Sequence, residues 1–453
     1  MDWSMEMGLS SLFELRHWLR DFSERRRVAE WSRAELEADH AQRFRELVLF
    51  AARRSPYFAD VISSRGLDPG KCDLADFPEL TKATLSREFD RIVTDPSVSR
   101  QRIGEFLQRS SDPTELMDGR HFVLRTSGTT GDPSYMAYTT REWIRGCSHR
   151  SRVVPDIQWR QRIAFFGVTH GHLAGVSLAL TGSRGINQLF FNCRPFDLDL
   201  PVAEIVDRLN RFQPHVLSGY ANLLMILAHE QQQQRLQVRP KFVCSSGEVM
   251  QPPVRESLEK TFQATVVDLY STCETLFIGA ASSSEGLMLF EDDIIFEIFP
   301  THLLVTNLFN RTIPLIRYRL DDVLIPLDPP KPGPFRWLKQ VAGRRSEPFE
   351  LKNNTGHLEK FTTYSILYLP IPPVPGLQVV ITGTDQLLFR VRLDPALSDD
   401  SRRETLRATE SAIRDWLVRK QLDQAVGLRV EETAQLEIDP ISGKTRPIIF
   451  VAD

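Results

Sequence analysis

From Thr126 to Gly131 the chain reads Thr-Ser-Gly-Thr-Thr-Gly, and Asp132-Pro133 then turns it sharply. Such a run adds almost nothing to a core, and glycine loses more conformational freedom on ordering than any other residue. Something other than packing must be gained. Backbone N–H groups and hydroxyls on a tight loop can converge on an anion, and phosphate oxygens suit many convergent neutral donors. The loop is not a Walker A sequence: that pattern needs Gly-x4-Gly-Lys-Ser/Thr, and Pro133 stands five residues after Gly128. Other chemistries lack their residues. There is no Gly-x-Ser-x-Gly elbow, and His229-Glu230 is followed by glutamines rather than by the second histidine of a His-Glu-x-x-His zinc site. Cys72, Cys147, Cys193, Cys244 and Cys273 lie too far apart for a disulfide framework or a structural zinc site.

Further segments appear in an order that resembles one family. "TSGTTGDP" resembles the phosphate loop of the adenylate-forming superfamily, which holds acyl-CoA synthetases, peptide-synthetase adenylation domains and luciferase. "SSGEVM" (Ser245–Met250) and "DLYSTCETLFIG" (Asp268–Gly279) look like its adenine-side segments, and "LIRYRLDDV" (Leu315–Val323) like its ribose segment. "GRRSE" (Gly343–Glu347) looks like its hinge, and "PISGKTRP" (Pro440–Pro447) like the segment with its catalytic lysine. Ordered matches from Thr126 to Pro447 are far more specific than any one alone. Within the superfamily the chain is most similar to phenylacetate-CoA ligases, coenzyme F390 synthetase-like proteins and capsule-synthesis proteins, through "ELTKATLSREFDRIVTDP", "GLMLFEDDIIFEI" and its compact length.

The resemblance implies roles. Thr126, Ser127, Gly128, Thr129, Thr130 and Gly131 would hold the phosphates of ATP; Ser246, Gly247, Glu248, Asp268, Tyr270 and Ser271 would surround the nucleotide. Glu274 would hold Mg2+ against the phosphates, as a hard cation takes oxygen ligands. One of the adjacent acids Asp321 and Asp322 would accept from both ribose hydroxyls; the family usually has glycine at the first, so Asp322 is preferred. Arg344 would contact the nucleotide at the hinge, and Lys444 would be the catalytic lysine. His170, beside Gly171, would lie near the substrate carboxylate, with Ser245 and Cys273 completing the pocket. The chain departs from the family at Ser134, where the loop often has lysine, and at Ser271, where Tyr-Gly is usual.

These residues need elements to position them. Apolar runs such as "RIAFFGV", "HVLSGY", "FVCSSGEV" and "TVVDLYS" alternate with helical segments such as "VAEIVDRLNRF" and "ANLLMILAHEQQQQRL". Short buried strands between helices predict an α/β sheet with parallel pairs. Phe44, Leu47, Val48, Ala51 and Ala52 recur at helical spacing, so Arg33–Arg65 reads as an amphipathic helix and a shorter one. After Gly286 the texture becomes strand-rich; after Gly343 two strands, a helix and another strand suffice for a small α+β domain. The expectation is an α/β protein with a large, multi-subdomain N-terminal domain, 1–342, and a small mobile α+β domain, 343–453.

The 453 residues are 42% hydrophobic and 25% charged, with a net charge of -3, so nothing electrostatic points to nucleic acid or an anionic membrane. The start lacks signal-peptide order and no stretch of about 18 apolar residues occurs, so a cytoplasmic enzyme, monomeric or homodimeric, is expected. The expected reaction joins a carboxylic acid, suggestively an aryl one, to AMP with loss of pyrophosphate. The acyl group would then pass to a thiol, expected to be coenzyme A; a carrier-protein thiol, an amine, or a homologue that only binds nucleotide are the alternatives.

Overall fold

The computed structural model describes the chain apart from residues 1–2, 127–133, 155–159, 181–186, 248–249, 251, 343–348, 362–364, 367–368, 370, 373, 375, 394–396, 438–447 and 452–453. Among the described residues, nine strands share one sheet. In spatial order they are Val323–Pro326, Trp337–Ala342, Leu287–Leu289, Leu276–Ala281, Thr265–Thr272, Phe242–Ser246, Val216–Gly219, Gln161–Gly167 and Phe191–Asp197. The last five pair in parallel. Their side chains alternate between two cores: Val216, Phe242, Cys244 and Val267 join one apolar cluster, and Leu217, Val243 and Val266 the other. A strand covered on both faces needs continuous apolar sequence, which is why these segments show no polar alternation.

Gln161–Gly167 lies between Phe191–Asp197 and Val216–Gly219, so the chain leaves it to one side and returns on the other. Its C-terminal end is therefore a switch point, where an open parallel sheet leaves a crevice. The turn carrying His170 follows directly.

Beside this sheet stand the hairpin His121–Arg125/Tyr135–Thr139 and an antiparallel sheet of Ile294–Ile298, Leu303–Asn307 and Leu315–Leu320. The Arg33–Arg65 stretch divides as the periodicity predicts, into helices Arg33–Arg54 and Pro56–Ser64. Ser32 and Glu35 form a capping box on the first, and Ser55 caps the second with proline at its first turn. The sequence reading assigns no helix before Arg33, but the structure has one, Trp3–Ala29. It is pinned by ion pairs to acids of the "FEDDIIF" stretch: Arg25 reaches Asp292 (3.3 Å) and Asp293, both buried, and Arg43, Arg145 and Arg152 join them. That stretch is a structural hub.

The C-terminal region has its own apolar cluster, spanning Phe349 to Val426. Strands Gly427–Glu432, Gln386–Arg392, Gly376–Thr382 and Ile448–Val451 form a sheet covered by helix Asp399–Arg419. The two strands, helix and strand of the sequence reading are present. Ile448–Val451 and the hairpin Phe349–Lys352/Leu358–Phe361 are additions.

Candidate active site

The hairpin ends where the expected phosphate loop begins, and this neck is closed twice. The Thr126 N–H donates to the Ser134 carbonyl and the Ser134 N–H to Thr126 Oγ1, each at 3.0 Å. Thr126 Oγ1 thereby accepts one bond and keeps its own proton to donate. Ser134, where the family often has lysine, is buried, with an Oγ that finds no partner among the described residues. Ser127, Gly128, Thr129, Thr130 and Gly131 lie outside the described residues, as do Glu248, Arg344 and Lys444.

Two other segments meet this neck. The Arg125 N–H donates to the His172 carbonyl (2.9 Å), joining the hairpin to the turn after Gln161–Gly167. Cys273 Sγ donates to the Arg125 carbonyl (3.6 Å), and the Tyr138 hydroxyl to the Cys273 carbonyl (2.6 Å), which brings in the segment after Thr265–Thr272. Thr126, His170, Gly171 and Cys273, far apart in sequence, thus converge on one end of the main sheet.

In that turn Gly171 has φ +75, a conformation that favours glycine, and its N–H donates to the Ser111 carbonyl (2.7 Å). His170 is exposed, with Nδ1 3.8 Å from Asp197 Oδ2. The Asp197 carboxylate raises the imidazole pKa. Burial pushes Asp197 up, but His170, the Thr169 hydroxyl and the Asp199 N–H outweigh it and hold Asp197 down at about 2. Asp197, at the end of the neighbouring strand, was not found by sequence reasoning; Phe191–Asp197 mixes Asn192 and Arg194 with its apolar residues and gives no local signal that marks it. His172 is a packing residue, buried against Phe106 at 4.8 Å with Nε2 3.2 Å from Ser110 Oγ.

The adenine-side and ribose segments also meet. The Tyr270 hydroxyl donates to Asp322 Oδ2 at 3.0 Å, across 52 residues. Asp322 is buried, whereas Asp321 is half exposed and accepts from Arg319 Nε at 3.0 Å. Asp268 lies two residues before Tyr270; burial raises its pKa to about 7, against the opposing pull of Arg255 and the Met250 N–H. Ser271 is half-buried beside Tyr270.

Glu274 is 7% exposed. Its Oε1 accepts from the Tyr318 hydroxyl (3.1 Å), its backbone carbonyl accepts from Asn307 Nδ2 (3.2 Å), and no described group bonds Oε2. A buried carboxylate with one oxygen free fits Mg2+, which takes one or two carboxylates and fills its shell with water and phosphate oxygens. No cluster of three or more His, Cys, Asp or Glu side chains that could hold a metal ion is found among the described residues.

A cavity opens along the same face of the main sheet. Ile163, Val216, Ser218, Cys244, Ser246, Leu269 and Phe277 are among its walls. Ser246 leads from it to Gly247, whose φ of +82 turns the chain. Ser245, expected in the pocket, is placed elsewhere: strand alternation sends its side chain to the opposite face from Cys244 and Ser246, wholly buried.

Comparison with known proteins bears on this arrangement. A family model described as "AMP-binding enzyme" matches residues 68–292, which include the loop, the His170 turn and Glu274. Protein CapK of Staphylococcus aureus is 22% identical over 337 residues, covering 68% of this chain and 67% of CapK. A solved 2-hydroxyisobutyryl-CoA ligase, in complex with 2-HIB-AMP and CoA in the thioesterification state, superposes with a TM-score of 0.61 at 21% identity, over 94% of this chain and 92% of that one. The same ligase in its postadenylation state, with 2-HIB-AMP, gives 0.58 at 19% identity, over 94% and 91%. At that identity the likeness is one of fold. Among the described residues, no helix is long and apolar enough to cross a membrane.

Proposed function

The chain belongs to the adenylate-forming superfamily, and on that premise we propose that it is an AMP-forming acid–thiol ligase using ATP, Mg2+ and coenzyme A. The observation that carries this reading is the meeting of Tyr270 with Asp322 and of Tyr318 with Glu274, beside the phosphate-loop neck at one end of a parallel sheet. Asp322 would accept from the ribose hydroxyls, with Tyr270 holding its second oxygen and presenting a ring to adenine. Glu274 would carry Mg2+, which neutralises phosphate charge when bound. The substrate carboxylate attacks the α-phosphorus, the bond to pyrophosphate breaks, and an acyl-adenylate forms; a thiolate then attacks the acyl carbon and AMP leaves. The chain supplies no nucleophile. Its work is alignment and electrostatic stabilisation of growing charge.

His170, whose imidazole pKa is raised by the Asp197 carboxylate, would steer the substrate carboxylate to the switch-point crevice. Lys444 would stabilise the adenylation transition state and Arg344 would contact the nucleotide, on a domain, 343–453, that rotates against 1–342. The acid is proposed to be an aryl one. The test is acid-dependent exchange of labelled pyrophosphate into ATP over a panel of aryl and aliphatic acids, followed by addition of coenzyme A. Exchange with at least one acid, converted to thioester with coenzyme A, is expected. Absence of exchange with every acid, in folded protein that still binds ATP, would overturn the reading, and exchange without thioester would shift the acceptor to a carrier-protein thiol or an amine.

A further inference from the structure

The antiparallel strands Leu303–Asn307 and Leu315–Leu320 run in step over Leu303–Val305, which face Leu320, Arg319 and Tyr318 in turn, but Asn307 then faces Leu315. Ile316 and Arg317 therefore oppose Thr306 alone, a bulge of one extra residue. Side chains alternate between the faces of a strand, so Val305 and Asn307 share a face, and so do the residues opposite them. Leu315 and Tyr318 are thus brought to one face although they stand three apart. In an unbroken strand Tyr318 would point to the other face. The shared face is the one from which Asn307 Nδ2 reaches the Glu274 carbonyl at 3.2 Å, so the bulge is what turns the Tyr318 hydroxyl toward Glu274 Oε1, 3.1 Å away.

The bulge is held against local preference. Arg317 has φ +51, a conformation that a long L side chain adopts only where its surroundings over-determine it. Its N–H leaves the strand ladder for Thr306 Oγ1 (2.9 Å), and its guanidinium is gripped by Glu297 (2.9 and 3.0 Å) and by the Phe77 carbonyl (2.7 Å). Leu80 locks the backbone on both sides: its N–H donates to the Arg317 carbonyl and its carbonyl accepts from the Arg319 N–H, each at 3.0 Å. The result is a wholly buried phenol bonded to one oxygen of a buried carboxylate, while no described group bonds the other oxygen.

This matters for a cation because Mg2+ and Ca2+ use carboxylates differently. Mg2+ is small and demands near-octahedral geometry, whereas the larger Ca2+ readily takes both oxygens of one carboxylate in a flexible shell. With Oε1 engaged by Tyr318, Glu274 offers Oε2 alone. We propose that Tyr318 is a positioning residue that keeps Glu274 a one-oxygen ligand and thereby sets a preference for Mg2+ over Ca2+. The proposal rests on the ligase reading above, which places the cation at Glu274.

The experiment measures ATP binding by calorimetry with no acid present, at saturating Mg2+ or Ca2+, each divided by the affinity in EDTA. The wild type, Tyr318→Phe, Glu274→Gln and the double variant are compared, with thermal midpoints to show that each has folded. In the wild type Mg2+ should strengthen ATP binding more than Ca2+ does. Tyr318→Phe should reduce the Mg2+ enhancement about tenfold, the usual cost of removing a partner of a metal ligand, and leave the Ca2+ enhancement equal or greater. Glu274→Gln should abolish both enhancements, and Tyr318→Phe should then change nothing further, because it acts through Glu274. Arg317→Lys, which loses the fork that joins Glu297 to Phe77, should narrow the preference in the same direction and serves if the phenylalanine variant unfolds. Equal losses with Mg2+ and Ca2+, an unchanged preference, or a further loss in the double variant would mean that the hydroxyl only packs, and would leave the ligase standing. A wild type whose ATP binding ignores Mg2+ also overturns the proposal. If exchange of pyrophosphate is then absent with every acid, the ligase reading falls as well.

Discussion

Glu274 and Asp322 each have one carboxylate oxygen engaged by a tyrosine hydroxyl, from Tyr318 and Tyr270 respectively. A phenol can fix such a carboxylate without cancelling its charge, which leaves the anion oriented for a cation or a pair of hydroxyls. Glu274→Gln keeps the shape and removes the charge, so it should lower adenylation by about 10²-fold or more and raise the Mg2+ concentration needed for half-maximal rate. A magnesium titration of pyrophosphate exchange checks this, and an unchanged midpoint would sink the assignment. For the neighbouring acids, Asp322→Ala should raise the KM for ATP at least tenfold while Asp321→Ala, exposed and paired with Arg319, should change it by less than twofold. The reverse order would put the ribose acceptor one residue earlier.

At the scale of elements, the strand Thr265–Thr272 carries a price for its position at the sheet centre: it buries Asp268 two residues before Tyr270. Because burial raises that carboxyl to about 7, the folded chain holds a proton there that the unfolded chain releases near its ordinary value of 3.8. Between those limits the folded state binds more protons, so stability falls as pH rises from about 4 through 7. Asp268→Asn lacks this term. Its urea midpoint relative to the wild type should therefore improve between pH 5 and pH 7.5, and a constant or worsening difference would show that Asp268 is ionised throughout. The turn after Gln161–Gly167 is set by tertiary contacts in the same way. Gly171 takes its positive φ while its N–H bonds Ser111, and His170 is thereby left projecting beside Asp197.

At the scale of the molecule, a hydrogen bond among the described residues joins the C-terminal region to the crevice. Lys420, just beyond helix Asp399–Arg419, donates from Nζ to the Leu198 carbonyl at 2.7 Å, one residue after Asp197. Burial lowers its pKa, while Asp199, Glu359 and Asp197 pull it back up. A hydrogen bond from a charged group is commonly worth about 1.5–3 kcal/mol, or roughly tenfold or more in an equilibrium. If the small domain rotates between half-reactions, this bond belongs to one orientation. Lys420→Ala should then slow one half-reaction about tenfold and spare the other. Lys444→Ala makes a sharper contrast: it should lower acyl-adenylate formation by about 10²–10³-fold and leave thioester formation from prepared acyl-adenylate close to wild type. Measuring both half-reactions in both variants is the check, and equal losses in the two would argue for a static site or a damaged fold.

What the sequence determined by itself was local and periodic. The Gly/Ser/Thr run followed by Asp-Pro announced a loop at Thr126–Gly131, continuous apolar runs announced buried parallel strands, and the order of segments from Thr126 to Pro447 announced the superfamily, because each depends on residues adjacent in the chain. The separation of Asp321 from Asp322, the Asp197 partner of His170, the turning of Ser245 away from the cavity and the ion-pair hub under the N-terminal helix were decided only by tertiary structure. Charged side chains give no periodic signal of their own, and whether a carboxylate or guanidinium ends up solvated, paired or facing a cavity depends on which distant strand or helix is folded against it.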